Sequence, residues 1–174
     1  GRFYGEMLQA VYPKIKEADP EAKVLIGGLL LPCKPGSWYC NMSNFFEGIL
    51  KKCGNGDGCF DYVNFHGYVT LDPDDDSVIQ MEENEHWWAS SGGQVEGKLS
   101  FLRDVMADYS VDKPIVLTEG ALADPEGYSN SNPVAFEQLK ANYVMYLFAR
   151  NIAEDIKCTI WYKFEKGGWN KSGL

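Results

Sequence analysis

The sequence predicts an α/β fold in which four parallel strands alternate with helices, and three observations support this prediction. Two short apolar runs, over residues 23–28 and 113–119, show no polar alternation, which is typical of strands buried on both faces of a parallel sheet, and two further strand-like runs lie over residues 60–68 and 157–162. Amphipathic segments long enough for helices lie before and between these runs. The order is one helix, then strand and helix three times, then a fourth strand, which predicts parallel βα units with right-handed crossovers.

The composition is that of one globular domain spanning all 174 residues, with 45% hydrophobic and 14% aromatic residues. The net charge of -9 argues against nucleic acid or an anionic membrane as a partner and favours a neutral substrate. No apolar run approaches the roughly 20 residues that span a bilayer. The opening residues read as a helix and not as a signal peptide, so we expect a mature form or a piece of a longer protein.

The first third is predicted to begin with a helix over residues 3–18, which Pro13 should kink or divide. A buried-type strand follows over residues 23–28 and closes on two glycines. Asn44 has the position of an N-cap for the next helix. The glycine-rich run 54–58 predicts a turn, because no lysine and no helix follow it as they do in a phosphate-binding loop.

The rest of the chain contains the other three strands and two helices. The strands are predicted over residues 60–68, 113–119 and 157–162, and the helices over residues 96–109 and from Pro133 onward. The long loop over residues 69–95 is expected to be functional or to carry a short element of its own.

Four of the five cysteines lie close together: Cys33, Cys40, Cys53 and Cys59. None forms the tight C-x-x-C pair of a zinc site. The simplest pairing is Cys33 with Cys40 and Cys53 with Cys59, although four cysteines allow three connectivities. With the glycosylation sequons at Asn41 and Asn170, this favours an extracellular protein; the alternative is a cytosolic protein with unpaired, buried thiols.

Several strands carry polar or aromatic side chains near their carboxyl ends. Side chains on a strand alternate in direction, so three sets should each share a face: Asn64, His66 and Tyr68; Ile115, Leu117 and Glu119; Thr159 and Trp161. If these faces line one barrel, four residues converge at its carboxyl rim: His66, Tyr68, Glu119 and Trp161. The alternative is a solvated acid and packed aromatic residues at the strand ends.

Three of these segments resemble the last strands of the clan A glycoside hydrolases, which are retaining (β/α)8-barrel enzymes. The run Phe60-Asp-Tyr-Val-Asn-Phe-His-Gly-Tyr68 resembles strand six, Pro114-Ile-Val-Leu-Thr-Glu-Gly120 strand seven, and Ile160-Trp-Tyr162 strand eight. Residues 3–28 resemble the helix after strand four and strand five. The resemblance implies that the chain is the C-terminal half of a TIM barrel, with strands one to four absent.

The resemblance also implies roles for the residues of the strand ends. Glu119 matches the nucleophile, His66 and Tyr68 match residues that orient it, and Trp161 matches the aromatic floor of the sugar subsite. The chemistry is consistent with these roles, because a retaining glycosidase needs an ionised carboxylate to attack the anomeric carbon, and hydrogen-bond donors favour that ionised form. An indole face also suits the apolar surface of a pyranose. No cofactor or metal is expected for this reaction.

Further sugar contacts are expected from aromatic residues on the long loops: Trp38, Trp87 and Trp88. Loop aromatics that fold back as local core are the alternative. The acidic run from Asp72 to Asp76 is either a solvated loop or a calcium site, since calcium prefers oxygen ligands.

The resembling family carries its acid/base as a glutamate at the end of strand four, usually after an asparagine. The one Asn-Glu pair here, Asn84-Glu85, does not follow an apolar run, so the acid/base is predicted to lie outside this chain. The chain alone is therefore expected to be inactive. An open half-barrel exposes strand edges, so we expect it to associate with the missing N-terminal half of the same protein or with a second copy.

The resemblance thus implies a retaining glycoside hydrolase that cleaves a poly- or oligosaccharide. One alternative is a non-catalytic carbohydrate-binding or scaffold protein with the same fold. Another is an unrelated parallel α/β enzyme that uses Glu119 as a base, although Gly27-Gly28 lacks the glycine pattern of a dinucleotide site.

Overall fold

The protein is a mixed α/β structure, given by a computed structural model that describes residues 1–33, 44–72, 74, 77–84, 87–124, 126–165 and 169–174. The helices are α1 Arg2–Ala18, α2 Asn44–Cys53, α3 Val78–Asn84, α4 Gln94–Asp108 and α5 Pro133–Ala153. The strands are β1 Val63–Thr70, β2 Ile115–Ala123 and β3 Thr159–Trp161. Short 3₁₀ turns lie at Ala89–Ser91, Tyr128–Asn130 and Trp169–Lys171.

The three strands form one parallel sheet in the order β1-β2-β3, so the parallel α/β prediction is confirmed. The prediction of a fourth strand over residues 23–28 is wrong. This segment runs parallel to β1 but pairs with it only through isolated bridges, Leu25 with Tyr62 and Leu29 with Phe65. Between the two bridges this segment advances four residues, from Leu25 to Leu29, while the chain opposite advances three, from Tyr62 to Phe65. The extra residue, at the two glycines, interrupts a regular ladder.

The helices follow the predicted pattern closely. α1 is one continuous helix, and Pro13, which lies exposed within it, does not divide it. α5 begins with Pro133 in its first turn, where a missing N–H is tolerated. The long loop between β1 and α4 contains α3 and a 3₁₀ turn, so the expectation that it could carry a short element of its own is confirmed.

The third predicted strand is longer than expected. The apolar run was predicted to end at Glu119, but β2 continues to Ala123 and its last residues pair with Tyr68, Val69 and Thr70 of β1. Ala121, Leu122 and Ala123 are all buried, and their backbone prolongs the ladder with β1. Glu119 therefore lies within a strand and not at its end.

The main core lies between the sheet and helices α4 and α5. Phe65 and Leu117 point into it and are fully buried, as are Leu102 of α4 and Leu147 of α5. The opposite face of the sheet carries the polar residues of β1 and β2. The described strands do not close into a barrel, so the half-barrel arrangement stays a prediction.

One predicted disulfide is confirmed, since Cys53 and Cys59 are bonded across the glycine-rich turn. Cys33 is disulfide-bonded as well, but its predicted partner, Cys40, lies outside the described residues. Cys158 is a free and exposed cysteine.

Candidate active site

Glu119 meets two side chains of the neighbouring strand on the polar face of the sheet. The hydroxyl of Tyr68 donates a hydrogen bond to Oε2 of Glu119. Nδ1 of His66 lies 3.3 Å from the same oxygen, and His66 is the register partner of Glu119. The side chain of Glu119 is 35% exposed, so solvent or a ligand can reach it. We refer to Glu119, His66 and Tyr68 as the Glu119 cluster.

A β-bulge brings Glu119 to this face. Phe65 pairs with Leu117 but His66 pairs with Glu119, which leaves Thr118 as an extra residue in β2. The same irregularity separates Leu117 from Gly120 in the pairing with β3. A bulge of this kind changes which side of the sheet the following side chains occupy.

Two contacts locate the side chains around this bulge. Leu117 lies 3.2 Å from where a Cβ on Gly67 would be, so it shares the helix-facing side with Gly67, opposite to His66 and Tyr68. Thr118 donates a 2.6 Å hydrogen bond to Asn64, on the polar side. The prediction that Leu117 and Glu119 share a face is therefore wrong, because simple alternation does not allow for the extra residue.

The protonation behaviour of the two partners makes both of them hydrogen-bond donors. Burial raises the pKa of Tyr68, and so do its hydrogen bond to Glu119 and the negative charge of that carboxylate. The hydroxyl of Tyr68 therefore keeps its proton. Burial lowers the pKa of His66, Lys98 lowers it further, and the charge of Glu119 acts in the opposite direction. A neutral imidazole can donate through Nδ1 to a carboxylate, which only accepts. The cluster can thus hold one oxygen of an ionised carboxylate in place.

The imidazole of His66 is wedged between Glu119 and the backbone of Gly28. A Cβ on Gly28 would lie 1.8 Å from Nε2 of His66, so any other residue here would displace the imidazole from its present position. The backbone conformation does not itself require glycine, since Gly28 has no positive φ. The two glycines that interrupt the first predicted strand thus make room for a residue of the site.

A buried lysine supports His66 from the helix side. Lys98 of α4 is 2% exposed, and its Nζ donates hydrogen bonds to the carbonyl oxygens of His66, at 2.8 Å, and Leu30, at 2.7 Å. Leu30 lies two residues after Gly28. The ammonium group of Lys98 therefore connects the backbone of the segment that contains Gly28 to the backbone of His66.

The aromatic residue beside the Glu119 cluster is Tyr162. Its ring packs edge-on against Tyr68, with 5.4 Å between centroids, and the residue is 39% exposed. Trp161 and Thr159 share a face, as predicted, but this face points toward α5: Thr159 binds Asn151. The indole of Trp161 packs on Tyr143, at 6.1 Å between centroids, and its N–H donates to the carbonyl of Ser172.

The three loop tryptophans have different positions. Trp88 is buried in the core, donates to the carbonyl of Leu31 and packs against Phe101, which is the arrangement of local core. Trp87 is 37% exposed and remains available as a surface contact. Trp38 lies outside the described residues.

The acidic loop after β1 is described only in part. The backbone N–H of Asp74 donates to the side chain of Asp72, while residues 73, 75 and 76 lie outside the described chain. Over the residues that are described, no group of three or more His, Cys, Asp or Glu side chains is placed to hold a metal ion.

Three residues of the site were not predicted from the sequence: Gly28, Lys98 and Tyr162. The sequence contained a signal for two of them. A lysine in the apolar stripe of a predicted helix is unusual when buried, and Tyr162 lies directly after a predicted site residue on the opposite face of the strand. The contact between Gly28 and His66 joins positions far apart in the sequence and had no local signal.

In comparisons with known proteins, the chain matches no family model and none of the curated proteins. Among the helices of the described residues, none is both long enough and apolar enough to cross a membrane.

Proposed function

We propose that the protein is a retaining glycoside hydrolase in which Glu119 is the nucleophile. The observation that carries the proposal is the geometry of this carboxylate. One oxygen, Oε2, contacts Tyr68 and His66 on the neighbouring strand, and the side chain is partly open to solvent. A surface carboxylate without a role is normally solvated, whereas Glu119 combines two oriented contacts on one oxygen with a side chain that a ligand can reach.

The two donors suit a carboxylate that must remain ionised and oriented. In a retaining mechanism the carboxylate attacks the anomeric carbon, and the glycosyl-enzyme ester is later hydrolysed by water. Tyr68 and His66 both contact Oε2, whereas Oε1 forms no hydrogen bond with another of the described residues. Oε1 is therefore the oxygen that would attack.

The proposal requires a second carboxylate about 5 to 5.5 Å from Glu119, acting as acid and then as base. We assign it to a segment outside these 174 residues, which completes the barrel on the open side of the sheet. This segment belongs to the N-terminal half of the same protein or to a second copy. The exposed side chains along β3 and just after it, Ile160 and Tyr162, are consistent with such a neighbour.

The substrate class follows from the residues around the carboxylate. Tyr162 presents an aromatic ring beside Tyr68, and aromatic rings pack well against the apolar C–H surface of a sugar. With the acidic chain favouring an uncharged ligand, we infer a neutral poly- or oligosaccharide. The disulfide between Cys53 and Cys59 is compatible with an extracellular site of action.

Covalent labelling tests the proposal directly. The natural protein that contains this chain is incubated with a panel of dinitrophenyl 2-deoxy-2-fluoroglycosides that differ in the sugar. Oε1 forms a bond to the anomeric carbon while dinitrophenolate leaves with the electron pair of the C–O bond. Since this leaving group needs no protonation, labelling does not depend on the acid/base. We expect one fluoroglycosyl unit, which peptide mass spectrometry assigns to Glu119.

Two variants serve as controls for this experiment. Glu119→Gln should not react, whereas Glu126→Gln, which changes an exposed glutamate in the loop after β2, should react like the parent. Binding of sugars without labelling by any member of the panel would contradict the proposal and favour a non-catalytic carbohydrate-binding protein. Labelling at another carboxylate would contradict the assignment of Glu119.

A further inference from the structure

We propose that Lys98 is a positioning residue for the Glu119 cluster, because it ties the carbonyl of His66 to that of Leu30 and so fixes the imidazole against Glu119. The proposal rests on the proposed function for its consequence in catalysis. Its structural basis is separate: an ammonium group at 2% exposure, with hydrogen bonds of 2.8 Å and 2.7 Å to these two carbonyls.

The position of Lys98 in α4 argues against a simple packing role. The other buried residues of this helix are apolar or glycine: Val95, Gly97, Leu99, Leu102, Val105 and Met106. Burying an ammonium group is costly unless its hydrogen bonds are satisfied, and an apolar residue would fill the same volume without that cost. A lysine is therefore expected here for what its charge and its donors do.

The two carbonyls that Lys98 binds belong to the strand that carries the imidazole and to the segment that the imidazole contacts through Nε2. His66 is on β1, and its ring touches Gly28, two residues before Leu30. On the other side its Nδ1 faces Glu119. Backbone hydrogen bonds from Leu29 N–H to Asn64 and from His66 N–H to Leu29 already join these two segments, and Lys98 adds a side-chain connection beside the ring. This added connection helps to set how closely Nδ1 approaches the carboxylate.

The charge of Lys98 also acts on the protonation of His66. Over the part of the chain that the structure describes, three ionisable side chains interact with the imidazole: Glu119 from β2, Tyr68 from β1 itself, and Lys98 from α4. The segment 27–30 contributes none. Burial lowers the pKa of His66 most, Lys98 lowers it further, and Glu119 raises it. His66 is therefore held as a neutral donor, and an imidazolium ion that would pair with the nucleophile and weaken its attack is disfavoured.

The experiment measures the ionisation and tautomer of His66 by NMR of the ¹⁵N-labelled protein. The variant His66→Gln removes the signals of His66 and so assigns them among the histidines of the protein. In the parent we expect a neutral imidazole protonated at Nδ1 and a pKa below the ordinary value for histidine. A charged His66 at pH 7, or protonation at Nε2 alone, would overturn the proposal without any substitution.

Variants then separate the charge of Lys98 from its contribution to folding. In Lys98→Met the pKa of His66 should rise, and the Nδ1 signal should show a changed hydrogen bond. Lys98→Gln keeps a donor without the charge and should give the same rise, so the test does not depend on one variant folding. Lys98→Arg, which keeps the charge, should leave the pKa near that of the parent.

The matched control is Lys140→Met. Lys140 of α5 is also 2% exposed and also donates to two backbone carbonyls, of Lys171 and Gly173, but neither belongs to a segment that contacts His66; it pairs with Glu137 as well. This variant should leave the signals of His66 unchanged. An unchanged pKa in both neutral Lys98 variants, or an equal rise in Lys140→Met, would overturn the proposal. Since no sugar is used, this result is independent of labelling at Glu119.

Discussion

Two glutamate–tyrosine pairs lie on opposite sides of the sheet, and they differ in almost everything except the hydrogen bond they share. Glu119 accepts from Tyr68 on the polar face, with its carboxylate 35% exposed and a histidine beside it. Glu82 of α3 accepts from Tyr143 of α5 on the helix side, where it is 2% exposed.

The buried pair has a structural explanation. The second oxygen of Glu82 accepts from the backbone N–H of Val95 in the first turn of α4. A carboxylate at this end of a helix satisfies a donor that has no partner within the helix and interacts favourably with the helix dipole. Glu82 thus connects α3, α4 and α5, and both of its oxygens are engaged.

The difference between the pairs indicates what a reactive carboxylate requires. Burial with both oxygens hydrogen-bonded stabilises a fold but leaves no atom free to attack a substrate. Exposure with contacts to one oxygen orients the group and keeps the other available. A glutamate–tyrosine hydrogen bond alone does not distinguish the two glutamates; the side of the sheet and the exposure of the carboxylate do, and the proposed function rests on this difference.

The same substitution in both pairs gives the largest expected contrast. Glu119→Leu should abolish labelling by the fluoroglycoside and change the free energy of unfolding by less than about 1 kcal/mol, since little buried structure depends on it. Glu82→Leu should keep labelling but lose about 1–3 kcal/mol of stability, because two buried donors lose their acceptor. Denaturant unfolding and intact-protein mass spectrometry measure the two quantities. Equal stability losses, or labelling that survives in both variants, would contradict the distinction.

The fold could be predicted in large part because its signals are local. The apolar runs that became β1, β2 and β3 and the amphipathic segments of the helices lie in continuous stretches. Residues 23–28 show the limit of this reasoning. Their composition is that of a strand, but the extra residue that breaks the ladder with β1 is a property of the pairing, which no single segment reveals.

The site could be predicted only as far as residue types and strand ends allow. His66, Tyr68 and Glu119 are brought together as expected, yet by a bulge that alternation does not include. Trp161 points toward α5, and Tyr162 lies beside the cluster in its place. Gly28 and Lys98 contact His66 from segments distant in sequence, so their part in the site follows only from the three-dimensional structure.

The surroundings of Glu119 can be disturbed through two adjacent glycines, Gly27 and Gly28, without changing any polar group. Gly28→Ala places its Cβ 1.8 Å from Nε2 of His66, so the imidazole must move away from its contact with Glu119. Because small misplacements in an active site can reduce rates by up to about 100-fold, we expect a loss of labelling rate of that order. The ring can move without unfolding the chain, so stability should change little.

Gly27→Ala is the matched control for this variant. Its Cβ would meet the hydroxyl of Tyr4 at 3.2 Å and does not reach the Glu119 cluster, and neither glycine has a positive φ. Labelling by Gly27→Ala should therefore be close to that of the parent. If the two alanine variants lose labelling equally, the segment matters through its backbone and not through its contact with His66.

Removing the tyrosine hydroxyls should give the smallest effects and the sharpest comparison, because each change is one oxygen atom. Tyr68→Phe removes a donor to an ionised carboxylate, which is worth about 1.5–3 kcal/mol, so the labelling rate should fall about tenfold or more. Water can reach the exposed carboxylate and replace the donor in the folded protein, so stability should stay nearly constant. Tyr143→Phe should instead lose about 1 kcal/mol of stability and keep its labelling rate, because Glu82 is buried beyond the reach of solvent. If Tyr143→Phe slowed labelling as much as Tyr68→Phe, the two sides of the sheet would be coupled and the Glu119 cluster would extend through the core.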